Sequence, residues 1–300
     1  MEVADISGAV SPYHVGFRIG PRLNAAGRLA DAMAALELLL IDDASRANEL
    51  ALALDAHNAE RQRVEARIVE EALVMARGFA GDRVLVLAKE GWHAGVIGIV
   101  ASRVLQEFYR PTVVIGIDDG LGKGSCRSIT GFSIVEALRA CESMLEKCGG
   151  HDMAAGLSIK AGQIDEFRRA LNQHAASVLR EEDLSPRLHV DAVVRLDELD
   201  YEFFKALNRL EPCGADNPAP VFAAERLRLK GQPRVAGKNH LKFHVTDGET
   251  TTAAVWWGMA AVELPTPEFD VAFAPEINEY RGVESVQLRV RDARATATPP

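Results

Sequence analysis

The segment Lys147-Cys148-Gly149-Gly150-His151-Asp152 sets an imidazole directly after two glycines and ahead of a run of small residues. Gly149 and Gly150 lack Cβ atoms, which opens backbone conformations closed to other residues and lets a ligand approach the main-chain amides. His151 then stands where a ring N–H can donate to an anionic oxygen. A helix that ends at a glycine pair accounts for the same letters.

Three more segments offer donors to oxyanions. Gly20-Pro21-Arg22-Leu23-Asn24-Ala25-Ala26-Gly27-Arg28 combines two guanidiniums and the Asn24 carboxamide with a permissive backbone. Arginine suits phosphate because its planar fork stays charged at any working pH; the alternative is that Arg22 and Arg28 pair with the next helix. Gly91-Trp92-His93-Ala94-Gly95-Val96-Ile97-Gly98 follows a buried-strand run and opens a helix, which puts His93 and free amides at the positive end of a helix dipole. A strand-to-helix turn with packing glycines reads the same way. Gly122-Lys123-Gly124-Ser125-Cys126-Arg127-Ser128 carries two cations and no acid, so Ser125, Arg127 and Ser128 can hold one phosphate between hydroxyls and guanidinium. Its alternative is an exposed hairpin. Toward the C-terminus, Lys238, Asn239, His240, Lys242, Trp256, Trp257 and Arg281 supply the cations and stacking rings that single-strand binders combine. In a regular strand one of the adjacent tryptophans must face the core; Trp256 is the one assigned to DNA.

The elements needed to position these groups follow from periodicity. Helical spacing is predicted over 32–40, and Asp42, Asp43 and Ser45 cap a long helix that reaches Arg77. Strands are predicted at 84–88, 111–117, 123–128 and 154–159, with helices at 94–108, 133–147 and 163–179, an alternation that indicates an α/β domain. Residues 181–191 read as a linker. Beyond a helix at 199–210, five strand-like runs separated by Gly or Pro suggest a small all-β barrel of the oligonucleotide-binding (OB) kind. The tail 293–300 is expected to be disordered. The organisation is therefore 1–44, a connector helix 45–80, an α/β domain 82–180 and a barrel 187–298.

Composition narrows the function. Three hundred residues, 48% hydrophobic, support two cores, while no apolar run approaches a membrane span and no signal peptide is evident, so a cytoplasmic protein without a membrane partner is expected. The net charge of −9 opposes non-specific coating of nucleic acid. The charge is uneven, however: six Lys/Arg, two His and no acid lie between Arg226 and His244. The four cysteines lack zinc-site spacing, so reduced thiols are expected.

In their order, GPRLNAAGRL, WHAGVIGIVASR, GSCRS, CGGHDMAAG, EPCGADNPAPVF, GKNHLKFHV and VQLRVRD closely resemble the RecJ exonucleases of the DHH phosphoesterase superfamily, with departures at Cys148, Cys213 and Asp216. The resemblance implies a 5′-to-3′ single-stranded-DNA exonuclease of recombination and repair that uses Mn2+ or Mg2+. It implies the end of a catalytic DHH domain in 1–44, a DHH-associated domain in 82–180 and a DNA-gripping barrel. Arg22, Asn24, Arg28 and His151 would then be catalytic, and His93, Ser125, Arg127, Ser128, Gly149 and Gly150 would bind substrate phosphate. Single-stranded DNA, a single-strand-binding protein and a repair helicase are the implied partners. The family's metal ligands include an Asp-His-His motif that this sequence lacks. A two-metal hydrolase needs several converging carboxylates and imidazoles, so the chain alone is expected to bind no metal and cut no DNA. The missing DHH half would come from the same gene or in trans, through truncation, a split gene or a misplaced start codon. Two alternatives are a catalytically silent single-strand-binding or repair-adaptor module and an oligonucleotide phosphodiesterase.

Overall fold

The computed structural model describes every residue except 30, 238, 281, 282 and 297–300. It divides into two compact units, Met1–Pro186 and Arg187–Pro300.

The first unit begins with α1 (Pro12–His14), α2 (Gly20–Leu29) and α3 (Met33–Leu40), of which α2 and α3 lean on the long α4 (Ala44–Arg77). Asp43 caps α4 by accepting from the amides of Ser45 and Arg46, which satisfies donors that a helix start otherwise leaves orphaned. Two buried stripes then divide α4. Leu50, Leu54 and Asn58 recur every four residues on the half that meets α2 and α3. Ile68, Ala72 and Ala76 do the same on the half that meets α5 (Ile97–Phe108).

The α/β part is a five-stranded sheet of order β1-β2-β3-β5-β4, made of β1 (Leu85–Glu90), β2 (Thr112–Asp118), β3 (Leu121–Arg127), β4 (Lys147–His151) and β5 (Ala154–Lys160). Only β1 and β2 run parallel among these strands, joined by α5 as a crossover. One face carries Leu85, Leu87 and Val114 beneath α4 and α5. The other carries Val86, Val113, Ile115, Cys126, Leu157 and Ile159 beneath α6 (Ile134–Ala140) and α7 (Ile164–Val178).

Four expectations need correction. Residues 20–29 form an ordinary helix rather than a permissive loop. The helix expected from 94 begins at Ile97, because the His93 ring accepts from the Gly95 amide and holds a turn there. The helix expected over 133–147 stops at Ala140, and Gly149-Gly150 lies in a strand. Burial in α6 follows helical spacing only as far as Cys141, after which the backbone pairs with β5 in an antiparallel hairpin. Finally, the linker starts later than expected: Leu184 is buried in the first core and its carbonyl accepts from Arg110 at 2.8 Å.

The second unit holds β6 (Ala192–Val193) and α8 (Tyr201–Asn208), which Asp200 caps. There follow β7 (Phe222–Leu229), β8 (Arg234–Ala236), β9 (His240–Thr246), β10 (Thr251–Trp256), β11 (Phe269–Tyr280) and β12 (Val283–Ala295). The pairing order β7-β11-β12-β10-β9, closed by β9 returning to β7, makes a five-stranded barrel; β6 and β8 are attached at its edges. Closure removes the open edges a sheet would expose. Leu227, Phe243, Val271, Phe273, Leu288 and Val290 fill the interior. The tail expected to be disordered from 293 continues β12 to Ala295 instead, and 297–300 lie outside the described residues. A buried carboxylate fastens it: Asp270 accepts from the Thr296 hydroxyl at 2.8 Å, the Arg226 amide at 3.2 Å and the Arg294 guanidinium at 3.1 Å.

Two measurements test this fold. Gly150 has φ +146°, and an added Cβ would lie 2.5 Å from the Ala154 carbonyl oxygen. Gly150→Ala should therefore destabilise the β4–β5 hairpin by roughly 2–4 kcal/mol in urea titrations; an unchanged midpoint would refute the strand geometry. In the barrel, burial pushes the Asp270 carboxyl up, but its hydrogen bonds to Thr296, Arg226 and Arg294 outweigh that and hold it below the ordinary value. A depressed folded-state pKa gives stability that is present above the unfolded value of about 3.9 and lost as pH falls through the folded one. Asp270→Asn should cost about 1–3 kcal/mol at neutral pH, and the difference from the parent should shrink at acid pH.

Candidate nucleic-acid interface

In α2, Ala25 and Ala26 are fully buried against α4 while Asn24, Gly27 and Arg28 are exposed. Helical spacing of about 100° per residue explains the split: Asn24 and Arg28, four apart, share the outer face, and Arg22 falls on the inner one. Accordingly Arg22 donates to Asp55 on α4 at 2.8 Å and to the Arg18 carbonyl at 2.7 Å. The three residues expected to act together are thus separated, Arg22 to the helix contact and Asn24 with Arg28 to the open side.

Arg28 leads to the next segment. Its guanidinium donates to the Gly95 carbonyl at 3.1 Å, and a Cβ on Gly95 would stand 2.0 Å from the Arg28 carbonyl oxygen. Only glycine permits that approach. The turn carrying His93 is anchored beneath by Trp92, which is buried and donates from its indole to Glu71 at 2.8 Å. That bond, with one from Lys89, keeps the Glu71 carboxyl below its ordinary pKa. His93 remains exposed beside the start of α5.

One helical position further on, Gly98 meets β3. A Cβ there would lie 3.0 Å from the Ser125 hydroxyl oxygen and 3.2 Å from an Arg127 nitrogen. The Arg127 guanidinium in turn donates to the Ser125 hydroxyl at 3.3 Å and to the Cys126 carbonyl at 2.7 Å. Ser125, Arg127 and the first turn of α5 therefore form one donor cluster. Ser128 does not join it, because its hydroxyl is buried and donates to the Phe132 carbonyl at 2.6 Å.

Strand register carries the cluster to the glycine-histidine segment. Arg127 pairs with Ala154, and Ala154 with His151. Ser125 pairs with Gly156, and Gly156 with Gly149. Directly paired residues project to the same face, so Arg127 and His151 stand on one side of the sheet, roughly 10 Å apart across two strand spacings. It is the side on which α5 packs, and past β3 the face is open: Gly149, His151 and Gly156 are exposed. Gly150 belongs to the opposite row and serves the hairpin. Cys126, behind the face, is pushed up to about 12 by burial and stays a neutral thiol.

The barrel has its own polar face. Leu241, Phe243 and Val245 point inward, so His240, Lys242 and His244 alternate outward on β9. Lys242 pairs with Arg234, and with Lys230 and His244 they border a cleft of about 700 Å³ that no carboxylate lines among the described residues. Trp256 is corrected here: it pairs with Leu241 and packs in the core. Trp257 is the exposed ring, 48% accessible and edge-on to His240 with ring centres 4.5 Å apart. Asn239 donates to the Gly258 carbonyl, and the Gly258 amide donates to His240, which fixes that corner. Lys238 and Arg281 lie outside the described residues. Gly98, Gly156, Lys230, Arg234 and His244 join these faces without having been expected to touch DNA; alternation with Lys242 is the sequence signal that points to His244.

Among the described residues no three His, Cys, Asp or Glu side chains converge as metal ligands. The donors gathered on the first unit are guanidinium, imidazole, hydroxyl and amide, which suit oxyanions and not divalent cations. No helix among the described residues is long and apolar enough to cross a membrane.

Residues 81–177 match the DHHA1 domain and residues 190–292 the RecJ OB domain. The single-stranded-DNA-specific exonuclease RecJ of Bacillus subtilis strain 168 is 36% identical over 293 residues, which are 95% of this chain and 37% of that protein. The RecJ of Haemophilus influenzae is 35% identical over 291 residues, 92% of this chain and 51% of that protein. The crystal structure of RecJ in complex with Mn2+ from Thermus thermophilus superposes with a TM-score of 0.87 at 32% identity, covering 99% of this chain and 44% of that one. The chain thus spans between 37% and 51% of the length of these curated relatives. The chain therefore carries a DHHA1 domain followed by a RecJ OB domain and is similar to RecJ exonucleases over nearly its whole length.

Proposed function

We propose that this chain is the substrate-holding part of a RecJ-like single-stranded-DNA exonuclease of recombination and repair, and that it cuts DNA only with a metal-bearing DHH segment. The observation that supports this is the continuous line of oxyanion donors from Asn24 and Arg28 through His93 and the α5 start to Ser125, Arg127 and His151. Ser125 and Arg127 grip a phosphate and His151 donates to the next oxygen across the face. Fixed donors of this kind stabilise charge that builds on a phosphate during cleavage. Hydrolysis is assigned to the DHH segment, a reading supported by the finding that no three His, Cys, Asp or Glu side chains gather among the described residues. The OB barrel holds the strand through Lys242, Arg234 and Trp257. The 5′-to-3′ direction, a single-strand-binding protein and a repair helicase are carried over from the sequence resemblance as part of this proposal.

The surface of the first three helices favours this over a self-sufficient binding module. Phe17 is 69% and Leu40 72% accessible, with Tyr13, Leu36 and Leu39 also exposed. Tyr13 and Phe17 stack on one another, and Leu36, Leu39 and Leu40 belong to one helix; exposed apolar surface marks an interface where it is contiguous, and the DHH segment is the proposed occupant of this one. A phosphodiesterase for dinucleotides would have no use for the barrel.

Arg127→Gln should weaken binding of a 5′-phosphorylated single strand about ten- to a hundredfold, the value of a hydrogen-bonded charge. Adding a separately folded DHH half with Mn2+ should restore cleavage, and Leu39→Glu with Leu40→Glu should abolish that rescue while oligonucleotide binding persists. A folded but silent reconstitution, or digestion by this chain unaided, would overturn the reading.

A further inference from the structure

The open sheet face extends beyond the Arg127 and His151 row. Two residues along, Gly156 lies between Ser125 and Gly149; two residues further, Ser158 lies between Lys123 and Lys147. Rows two residues apart are about 6.8 Å distant and project to the same side. One face therefore presents a cationic row, a row whose two outer strands contribute a bare backbone, and a second cationic row.

The fold does not require the two glycines of the middle row. A Cβ on Gly149 would meet nothing within 4 Å, and one on Gly156 would make only an ordinary 3.6 Å contact with the Gly124 carbonyl. Neither has a positive φ. Glycine within a strand weakens it and often marks a close approach from outside, and the space these Cβ atoms would fill is above the sheet. Lys123 and Lys147 are exposed, and among the described residues neither has a carboxylate within 4 Å. Acids near this end include Asp118, which borders the cleft shared by His93 and Lys123, Asp119 in the β2–β3 turn, Glu71, which Lys89 engages at 3.1 Å, and Glu146, which Lys160 engages at 3.3 Å.

We propose that this face seats two phosphates of a single DNA strand that lie two phosphodiester steps apart: one at Ser125, Arg127 and His151, the other at Lys123 and Lys147, with the intervening nucleotide lying on Gly149 and Gly156. The proposal rests on the phosphate reading of the Arg127 row and adds a second subsite to it. The two cationic rows are about 13.6 Å apart, which an extended sugar-phosphate chain spans in two steps, and their charge matches that chain. A mononucleotide reaches only the first row.

The test compares thymidine 5′-monophosphate with the 5′-phosphorylated thymidine trinucleotide, titrated by NMR against the whole chain. Lys123→Gln, Lys147→Gln, Gly149→Ala and Gly156→Ala should each weaken the trinucleotide about fivefold more than the mononucleotide. Each lysine variant should also flatten the salt dependence of trinucleotide binding by about 0.7 in log–log slope. The alanine variants should keep or raise the thermal midpoint, so a lost affinity is not lost folding. If Arg127→Gln weakens both ligands and none of the four variants separates them, the second subsite is overturned and the first stands. If Arg127→Gln affects neither ligand, both fall.

Discussion

The antiparallel register of β3, β5 and β4 is the constraint on which the rest of the site depends. It sets Arg127, Ala154 and His151 in one row and Ser125, Gly156 and Gly149 in the next. Because side chains alternate, a slip of one residue would send every donor into the core and every core residue into water. The opposite face makes such a slip costly: Cys126, Ala155, Leu157 and Ile159 are all buried against α6 and α7. Burying four such side chains is worth several kcal/mol at about 25 cal/mol per Å², far more than any single donor on the outer face contributes. The polar geometry is therefore held by apolar packing behind it.

The same division of labour recurs. Helix α5 buries Ile97, Val100, Ala101 and Val104 on the sheet, and that packing brings Gly98 onto Ser125 and Arg127. Helix α2 buries Ala25 and Ala26, which leaves Asn24 and Arg28 outside and fixes the Arg28 contact with Gly95. In the barrel, the inward Leu241, Phe243 and Val245 turn His240, Lys242 and His244 out. Each functional face is the remainder of a core that is satisfied elsewhere.

That dependence decides what is legible in the sequence. Alternation and helical spacing mark β1, β2, β5, α7 and the barrel strands, because each is a local pattern of burial. The glycine pair is ambiguous because glycine ends helices and also permits a strand to carry φ +146°, as Gly150 does; only the pairing with Ala155 decides. Alternation splits Trp256 and Trp257 into one buried and one exposed ring, but the register with β9 determines which is buried. The closeness of Arg28 to Gly95, 67 residues apart, and of Gly98 to Ser125 is tertiary and leaves no local trace. Arg22 groups with Asn24 and Arg28 only while 20–28 reads as a loop; the helical turn is what parts them.

The central claim is that oxyanion donors from separate segments meet on one sheet face to hold a sugar-phosphate strand. A crystal structure of this chain with a 5′-phosphorylated single strand tests it most directly. The account predicts a phosphorus atom seated between the Ser125 hydroxyl and the Arg127 guanidinium, with His151 donating across the same face. A strand bound at the barrel while that face carries only solvent, at saturating oligonucleotide, would contradict it.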